Sequence, residues 1–248
     1  MDSIFKADYK VRISDSDRFG RLKMPALLQM LQEIATEHAR VMGVGFDDLK
    51  PLGLGWALSK IVVEISRIPH WGERVFLSTW SSSRERVATY REFSAADSDG
   101  KPLFTARSQW ILFDVNSRRI ARLERVVSWQ PHPETANSWS FDEPFPKIDA
   151  AAPSSESDFS ARNDDIDLNG HVNNSVYMIW AVESVPSEFA QTREPHRIGV
   201  SFLDEVLPHN RVSAFCQLDG DRSITSVRSA DGSRECARVF VDWRVRRG

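Results

Sequence analysis

The chain has 248 residues, 41% of them hydrophobic and 27% charged, with a formal net charge of −3. That apolar content supplies an ordinary globular core, and the slight acidity argues against a general nucleic-acid binder. Its two cysteines, Cys216 and Cys236, are too few and too late for a disulfide framework or a zinc finger, which favours a reducing, cytoplasmic setting. The opening residues lack a signal-peptide core and no later run is long enough to span a bilayer, so a soluble, unprocessed protein is expected.

In chain order, a short strand at 10–14 leads into a turn at 17–20. Pro25 then opens a helical run that ends at Gly43, with Leu27, Leu28, Leu31, Ile34 and Ala35 at helical spacing. Strand-like runs follow at 56–65, 74–82, 88–95 and 103–113, and Asp97-Ser98-Asp99-Gly100 reads as a hairpin turn. Residues 128–157 gather Pro, Ser, Ala, Asp and Glu without periodicity and read as a linker. The second half repeats the plan: a strand at 159–162, a helix over 175–189, then strands at 198–202, 211–218, 223–229 and 235–244. One dominant helix ahead of several strands in each half predicts an α+β fold, an antiparallel sheet wrapped around a long helix, built twice. The expected domains are 1–130 and 158–248, with 131–157 between them.

A repeat supports the two-part division. Arg12, Asp15, Asp17, Gly20, Leu22 and Glu33 recur 150 positions later as Arg162, Asp165, Asp167, Gly170, Val172 and Glu183. The chemistry does not recur with the frame. Where the second half has Asn169 and His171, the first has Phe19 and Arg21.

The stretch Asp167-x-Asn169-x-His171 sets an acid, an amide and an imidazole at alternate positions ahead of the second helix. Such a cluster can activate water beside a reactive carbonyl. It reads equally well as a polar turn, with Asn173, Asn174 and Ser175 as N-cap residues and Asp167 in an Asx turn. One imidazole and one carboxylate make a poor metal set, and neither metal nor cofactor is expected.

The same stretch resembles the active-site segment of the acyl-acyl-carrier-protein (acyl-ACP) thioesterases, D-x-N-x-H-V-N-N-x-x-Y-x-x-W-x-x-E. The matching residues are Asp167, Asn169, His171, Val172, Asn173, Asn174, Tyr177, Trp180 and Glu183. The first half is similar through LLQMLQEIATEHARVMG, the Trp56 strand, IPHWGERVFLSTW and SQWILFDVNSRRIARL, so the likeness runs from about Lys10 to Val245. It implies a tandem (double) hotdog fold and hydrolysis of fatty acyl-ACP to free fatty acid. It also implies a further catalytic acid, Glu205, within VSFLDEVLPHNRV. Many plant relatives carry a cysteine after that acid. This chain has Val206, so a cysteine nucleophile is not expected, and the lack of a plastid-targeting extension suggests a bacterial version.

Thioester hydrolysis needs an activated water, a place for the oxyanion and a proton for the departing thiol. Glu205 and Asp167 are expected to hold and polarise the attacking water, with a carboxylate as general base. His171 would orient the thioester or shuttle the proton, and Asn169 would fix the water or a carboxylate. Backbone N–H groups near Val172 and Asn173 would receive the oxyanion. The first half would supply the acyl pocket, with Met30, Ile34, Trp56, Leu58 and Ile61 as wall candidates and core packing as the competing reading. An acidic acyl carrier protein would meet residues 117–125 or the terminal WRVRR, although either also reads as a solvated face or a tail. A general acyl-CoA hydrolase, a dehydratase and a non-catalytic acyl-thioester-binding module are the alternatives, and both monomer and homodimer fit.

Overall fold

The computed structural model describes residues 4–126, 129–134, 136, 139–141, 144–148 and 153–246. The chain divides into two compact units, Met1–Trp139 and Ser140–Gly248.

The first unit contains β1 (Phe5–Lys10), α1 (Met24–Val41), a short α2 (Phe46–Leu49), β2 (Leu54–Ile65), β3 (Arg74–Arg84), β4 (Ala88–Ala96), β5 (Pro102–Asp114) and β6 (Arg119–Ile120). All its strand pairs are antiparallel, in the lateral order β1-β3-β4-β5-β2, with β6 on β5. Pro25 sits in the first turn of α1, where its missing N–H costs nothing. Leu27, Leu28, Leu31, Ile34 and Ala35 are all buried, as their spacing predicts. The same face buries His38, whose Nδ1 lies 2.8 Å from Arg91 Nη1 and whose ring stacks on Phe5 at 5.6 Å. Burial, with the Arg91 charge second, holds His38 down at about 4 and therefore neutral. Chain beyond β6 lies against this unit: His132 N–H donates to Ser81 O at 2.7 Å and the Trp80 indole to Glu134 O at 2.8 Å.

The second unit contains β7 (Ser155–Ser160), α3 (Asn174–Glu183), α4 (Ser187–Gln191), β8 (Arg193–Phe202), β9 (Arg211–Asp219), β10 (Arg222–Ser229) and β11 (Glu235–Val245). Its antiparallel order, β7-β9-β10-β11-β8, reproduces that of the first unit strand for strand. Each unit is thus a helix packed on an antiparallel sheet of five strands in the same order, with the short β6 added in the first, which is the hotdog arrangement. On α3, Val176, Tyr177 and Trp180 pack with Val172, Val206, Val212, Ala214 and Val227 into one core cluster. Burial of such side chains contributes roughly 1.5–3 kcal/mol each.

Several boundaries differ from the sequence expectation. The strands expected at 10–14 and 159–162 lie earlier, as β1 and β7, because local bonds take over the following backbone. Arg12 N–H donates to Asp15 Oδ2 at 3.3 Å and Arg162 N–H to Asp165 Oδ2 at 2.8 Å. The helix expected over 175–189 ends at Glu183 because Pro186 supplies no N–H and disfavours a helical residue before it; the chain restarts as α4. Strand β8 begins at Arg193 rather than 198, where Glu194 pairs with Arg244 at 2.8 Å. It is also β7, starting at Ser155, that occupies the end of the stretch read as linker.

Candidate active site

Ile166 and Val172 form an isolated antiparallel bridge, which closes residues 167–171 into a tight loop. Asp167 N–H donates to His171 O at 2.8 Å and Gly170 N–H to Asp167 O at 3.0 Å. Asp167 Oδ1 accepts from Asn169 N–H at 2.8 Å and from His171 N–H at 3.4 Å. Gly170 has φ +79°, a conformation glycine adopts without strain. Asn173 then caps α3, its Oδ1 accepting from Ser175 N–H at 2.9 Å.

The first unit builds the same loop. Ser16 bridges Leu22, Asp17 N–H donates to Arg21 O at 2.7 Å and Gly20 N–H to Asp17 O at 2.9 Å. Asp17 Oδ1 accepts from Phe19 N–H at 2.8 Å and from Arg21 N–H at 2.9 Å. There the Arg21 guanidinium folds back onto Asp17 Oδ2 at 2.8 Å, and this position, which is His171 in the second unit, is buried. Desolvation raises the Asp17 carboxyl, but the bonds from Arg21 and Phe19 outweigh it and hold it below the usual carboxylate range.

The second half of the site comes from the segment after β8. Val172 N–H donates to Val206 O at 2.9 Å, which ties the His171 loop to the segment bearing Glu205. In the first unit Leu22 N–H donates to Pro69 O at 2.8 Å, so Ile68 stands where Glu205 does. In the second unit His171 Nε2 lies 3.2 Å from Glu205 Oε2, with the two side chains 35% and 28% exposed. This is hydrogen-bonding reach at a solvent-accessible place, which a proton-transfer pair requires.

The predicted residues divide into groups. His171 and Glu205 are brought together. Asp167 and Asn169 belong to the loop that carries His171, and Asn169 Nδ2 is 3.4 Å from Asp167 Oδ2, so the Asx-turn reading holds for Asp167. The expected oxyanion donors do not survive: Val172 N–H is spent on Val206 O, and Asn173 N–H on Asp165 O at 2.8 Å. Asn174 N–H, in the first turn of α3, has no acceptor among the described residues, as helix geometry leaves it. Of the acyl-wall candidates, Met30, Ile34, Leu58 and Ile61 are buried. Trp56 donates its indole N–H to Val44 O at 3.0 Å and packs on Leu49, Leu54 and Leu112. In the basic segment 117–125, Arg119 and Arg122 are exposed, whereas Arg125 approaches Asp114 at 3.4 Å. The terminal WRVRR is not a free basic tail: Trp243 is buried and Arg244 is paired with Glu194, while Arg247 lies outside the described residues.

Sequence reasoning gave no role to Tyr177. Its hydroxyl accepts from Val206 N–H at 3.1 Å and donates to Asp204 O at 3.4 Å, the residues on either side of Glu205. Tyr177 stands in the segment that matches the family pattern, yet a tyrosine at helical spacing reads as core; a second signal is that the first half has Leu27 at the corresponding place.

Two antiparallel sheet-and-helix units, one bearing an acid and an imidazole in contact, define a hotdog protein. The family model described as acyl-ACP thioesterase N-terminal domain matches residues 2–128, and that of the C-terminal domain matches residues 148–244. The chain belongs to the acyl-ACP thioesterase family, a family of thioester hydrolases. It is 30% identical over 217 residues to oleoyl-acyl carrier protein thioesterase 2, chloroplastic, of Arabidopsis thaliana, covering 81% of this chain and 59% of that protein. With oleoyl-acyl carrier protein thioesterase 1 of the same plant it shares 28% identity over 247 residues, 93% of this chain and 68% of the relative. The chain thus spans roughly three-fifths to two-thirds of these curated relatives. Among solved structures, an acyl-ACP thioesterase from Bacteroides thetaiotaomicron superposes with a TM-score of 0.83 at 27% identity, covering 98% of both chains. An oleoyl thioesterase (putative) from Lactobacillus plantarum shares the fold, with a TM-score of 0.88 at 23% identity over 99% of this chain and 98% of that one.

Proposed function

We propose that this protein hydrolyses the thioester of a fatty acyl group carried on acyl carrier protein, releasing the free fatty acid, and that its second unit performs the chemistry. The observation that carries the assignment is the 3.2 Å approach of His171 Nε2 to Glu205 Oε2. Family membership supplies the substrate class.

In this reading Glu205 is the general base. It takes a proton from a water whose oxygen attacks the thioester carbonyl carbon, and His171 holds the carboxylate in place. As the tetrahedral oxyanion collapses, the C–S bond breaks and the proton passes through His171 to the departing sulfur, leaving a carboxylic acid and a thiol. Both Asp167 oxygens already face loop donors, which supports Asp167 and Asn169 as supports of the imidazole rather than as the base. Asn174 N–H, at the positive end of α3, is the proposed oxyanion donor.

The first unit, with Phe19, Arg21 and Ile68 in the matching positions, is assigned to the acyl chain. Met30, Ile34, Leu58 and Ile61, all buried, and Trp56, packed on the cluster of Leu49, Leu54 and Leu112, are the proposed wall residues. The acyl carrier protein is proposed to meet exposed Arg119 and Arg122. A cytoplasmic setting is part of this reading, supported by two buried cysteines that are both free thiols.

The test is hydrolysis of acyl-ACP and acyl-CoA thioesters from C4 to C18, with His171→Ala as control. Carrier-dependent turnover that disappears in the variant supports the proposal. Equal turnover on the CoA esters would make this a general acyl-thioester hydrolase, and tight binding without turnover a binding module.

A further inference from the structure

Glu205 lies in a segment without regular structure, between β8 and β9, yet the proposed chemistry needs its carboxylate held against one imidazole nitrogen. What fixes it there is visible in the second unit and missing from the first.

Residues 203–210 are anchored at both ends. Leu203 and Asp204 N–H both donate to Cys236 O, at 2.9 and 3.1 Å, and Asn210 N–H donates to Leu207 O at 3.1 Å. The first unit repeats this: Ser66 and Arg67 N–H both donate to Leu103 O, and Glu73 N–H donates to His70 O. In the middle the two segments part. The first unit has Pro69, which lacks an N–H, and at the helix position matching Tyr177 it has Leu27, whose side chain carries no polar atom. The second has Val206, whose buried N–H must find an acceptor, beneath Tyr177, whose hydroxyl supplies one at 3.1 Å. The same hydroxyl donates to Asp204 O at 3.4 Å, so one phenol oxygen spans Glu205.

We infer that Tyr177 is a positioning residue for the reaction, its hydroxyl clamping the peptides on both sides of Glu205 so that the carboxylate stays against His171. The clamp is rigid from below. The Tyr177 ring is buried, edge-on to Trp180 at 5.3 Å and to Phe202 at 5.7 Å. Burial also pushes its phenol well above the ordinary range, so the hydroxyl stays protonated and can donate and accept at once. Tyr177 therefore touches neither water nor thioester; it acts through Glu205, and the inference rests on the assignment of Glu205 as base. The first unit, which has no acid to aim, has no hydroxyl at the matching place.

The experiment is a double-mutant cycle of Tyr177→Phe and Glu205→Gln in the full chain, read as kcat and KM on acyl-ACP, with thermal melting recorded for every variant. A clamp predicts that Tyr177→Phe lowers kcat about 10- to 100-fold with KM within about twofold, since small misplacement of a reacting group costs rates of that order. It also predicts that the same change made on Glu205→Gln costs less than about twofold, because the group being aimed is already lost. An equal fold-loss in both backgrounds, or a Tyr177→Phe enzyme with unchanged kcat, would overturn the inference. Should Tyr177→Phe melt too low to assay, Tyr177→Leu/Val206→Pro copies the first unit's pairing and removes donor and acceptor together. That enzyme is expected to fold and remain slow, and full kcat would count against the clamp. Near-normal activity of Glu205→Gln by itself would sink the assignment of the base, a separate result from any outcome for Tyr177.

Discussion

Val172 N–H donates to Val206 O at 2.9 Å, and this one backbone hydrogen bond sets the preceding residues, His171 and Glu205, side by side. The matching bond from Leu22 N–H to Pro69 O joins Arg21 and Ile68 instead. One frame is folded twice, and of these two loop pairs only the second sets a carboxylate beside an imidazole. The two aspartates that brace the loops should therefore differ in what they do. Asp17→Ala removes the acceptor of Phe19 and Arg21 N–H and of the Arg21 guanidinium, and should cost roughly 1–3 kcal/mol of stability with kcat unchanged. Asp167→Ala should lower kcat about 10- to 100-fold as well, by freeing the loop that holds His171. Denaturant titration beside steady-state kinetics separates the two effects, and equal kinetic losses would refute the division of labour.

His38 makes a prediction about pH. Its folded value of about 4 lies below the ordinary 6.5, chiefly through burial and then through the Arg91 charge. Below 6.5 the unfolded chain binds a proton that the folded chain refuses. The contribution of neutral His38 is therefore complete above pH 6.5 and is lost as pH falls from 6.5 toward 4. His38→Gln cannot titrate yet still offers an oxygen to Arg91. Its melting curve should drop less than that of the parent between pH 7 and about pH 4.5, and parallel curves would count against this role.

Gly199, in β8, pairs with Phe240, and a Cβ at residue 199 would fall 2.0 Å from the Phe240 ring. The ring is fully buried and packs against Phe145 at 5.4 Å, so it has little room to yield. Gly199→Ala should destabilise the protein by roughly 1–3 kcal/mol, seen as a lower denaturation midpoint. An unchanged midpoint would mean that the ring can move aside.

Much of this arrangement was legible in the sequence, and the misses have physical causes. The repeat through Asp17/Asp167 and Gly20/Gly170 showed the loop twice because an Asx turn and a positive-φ glycine leave fixed residue types at fixed spacing. The buried face of α1 followed from its 3.6-residue period. The end of α3 was misplaced because the apolar run continues past Pro186, and periodicity outweighed the breaker. The oxyanion donors were misassigned because long-range backbone bonds, such as Val172 to Val206, have no residue signature. Tyr177 matched the family pattern but was given no role for a related reason: its hydroxyl bonds the backbone of 204–206, far away in sequence.

If Arg119 and Arg122 meet the acidic carrier, reversing their charge with Arg119→Glu/Arg122→Glu should raise KM for acyl-ACP about 3- to 10-fold at low salt. Turnover of an acyl-CoA ester should barely change. A uniform effect on both substrates would move the docking surface elsewhere.

The most direct test of the central claim is kcat on acyl-ACP for Glu205→Gln and His171→Ala, made singly and together. A base and its imidazole partner 3.2 Å apart should each cost roughly 10²- to 10⁴-fold when removed, and the double variant should be no slower than the slower single one, because the pair works as a unit. Near-full kcat in either folded single variant, or losses that simply multiply in the double, would contradict the assignment of the chemistry to this pair.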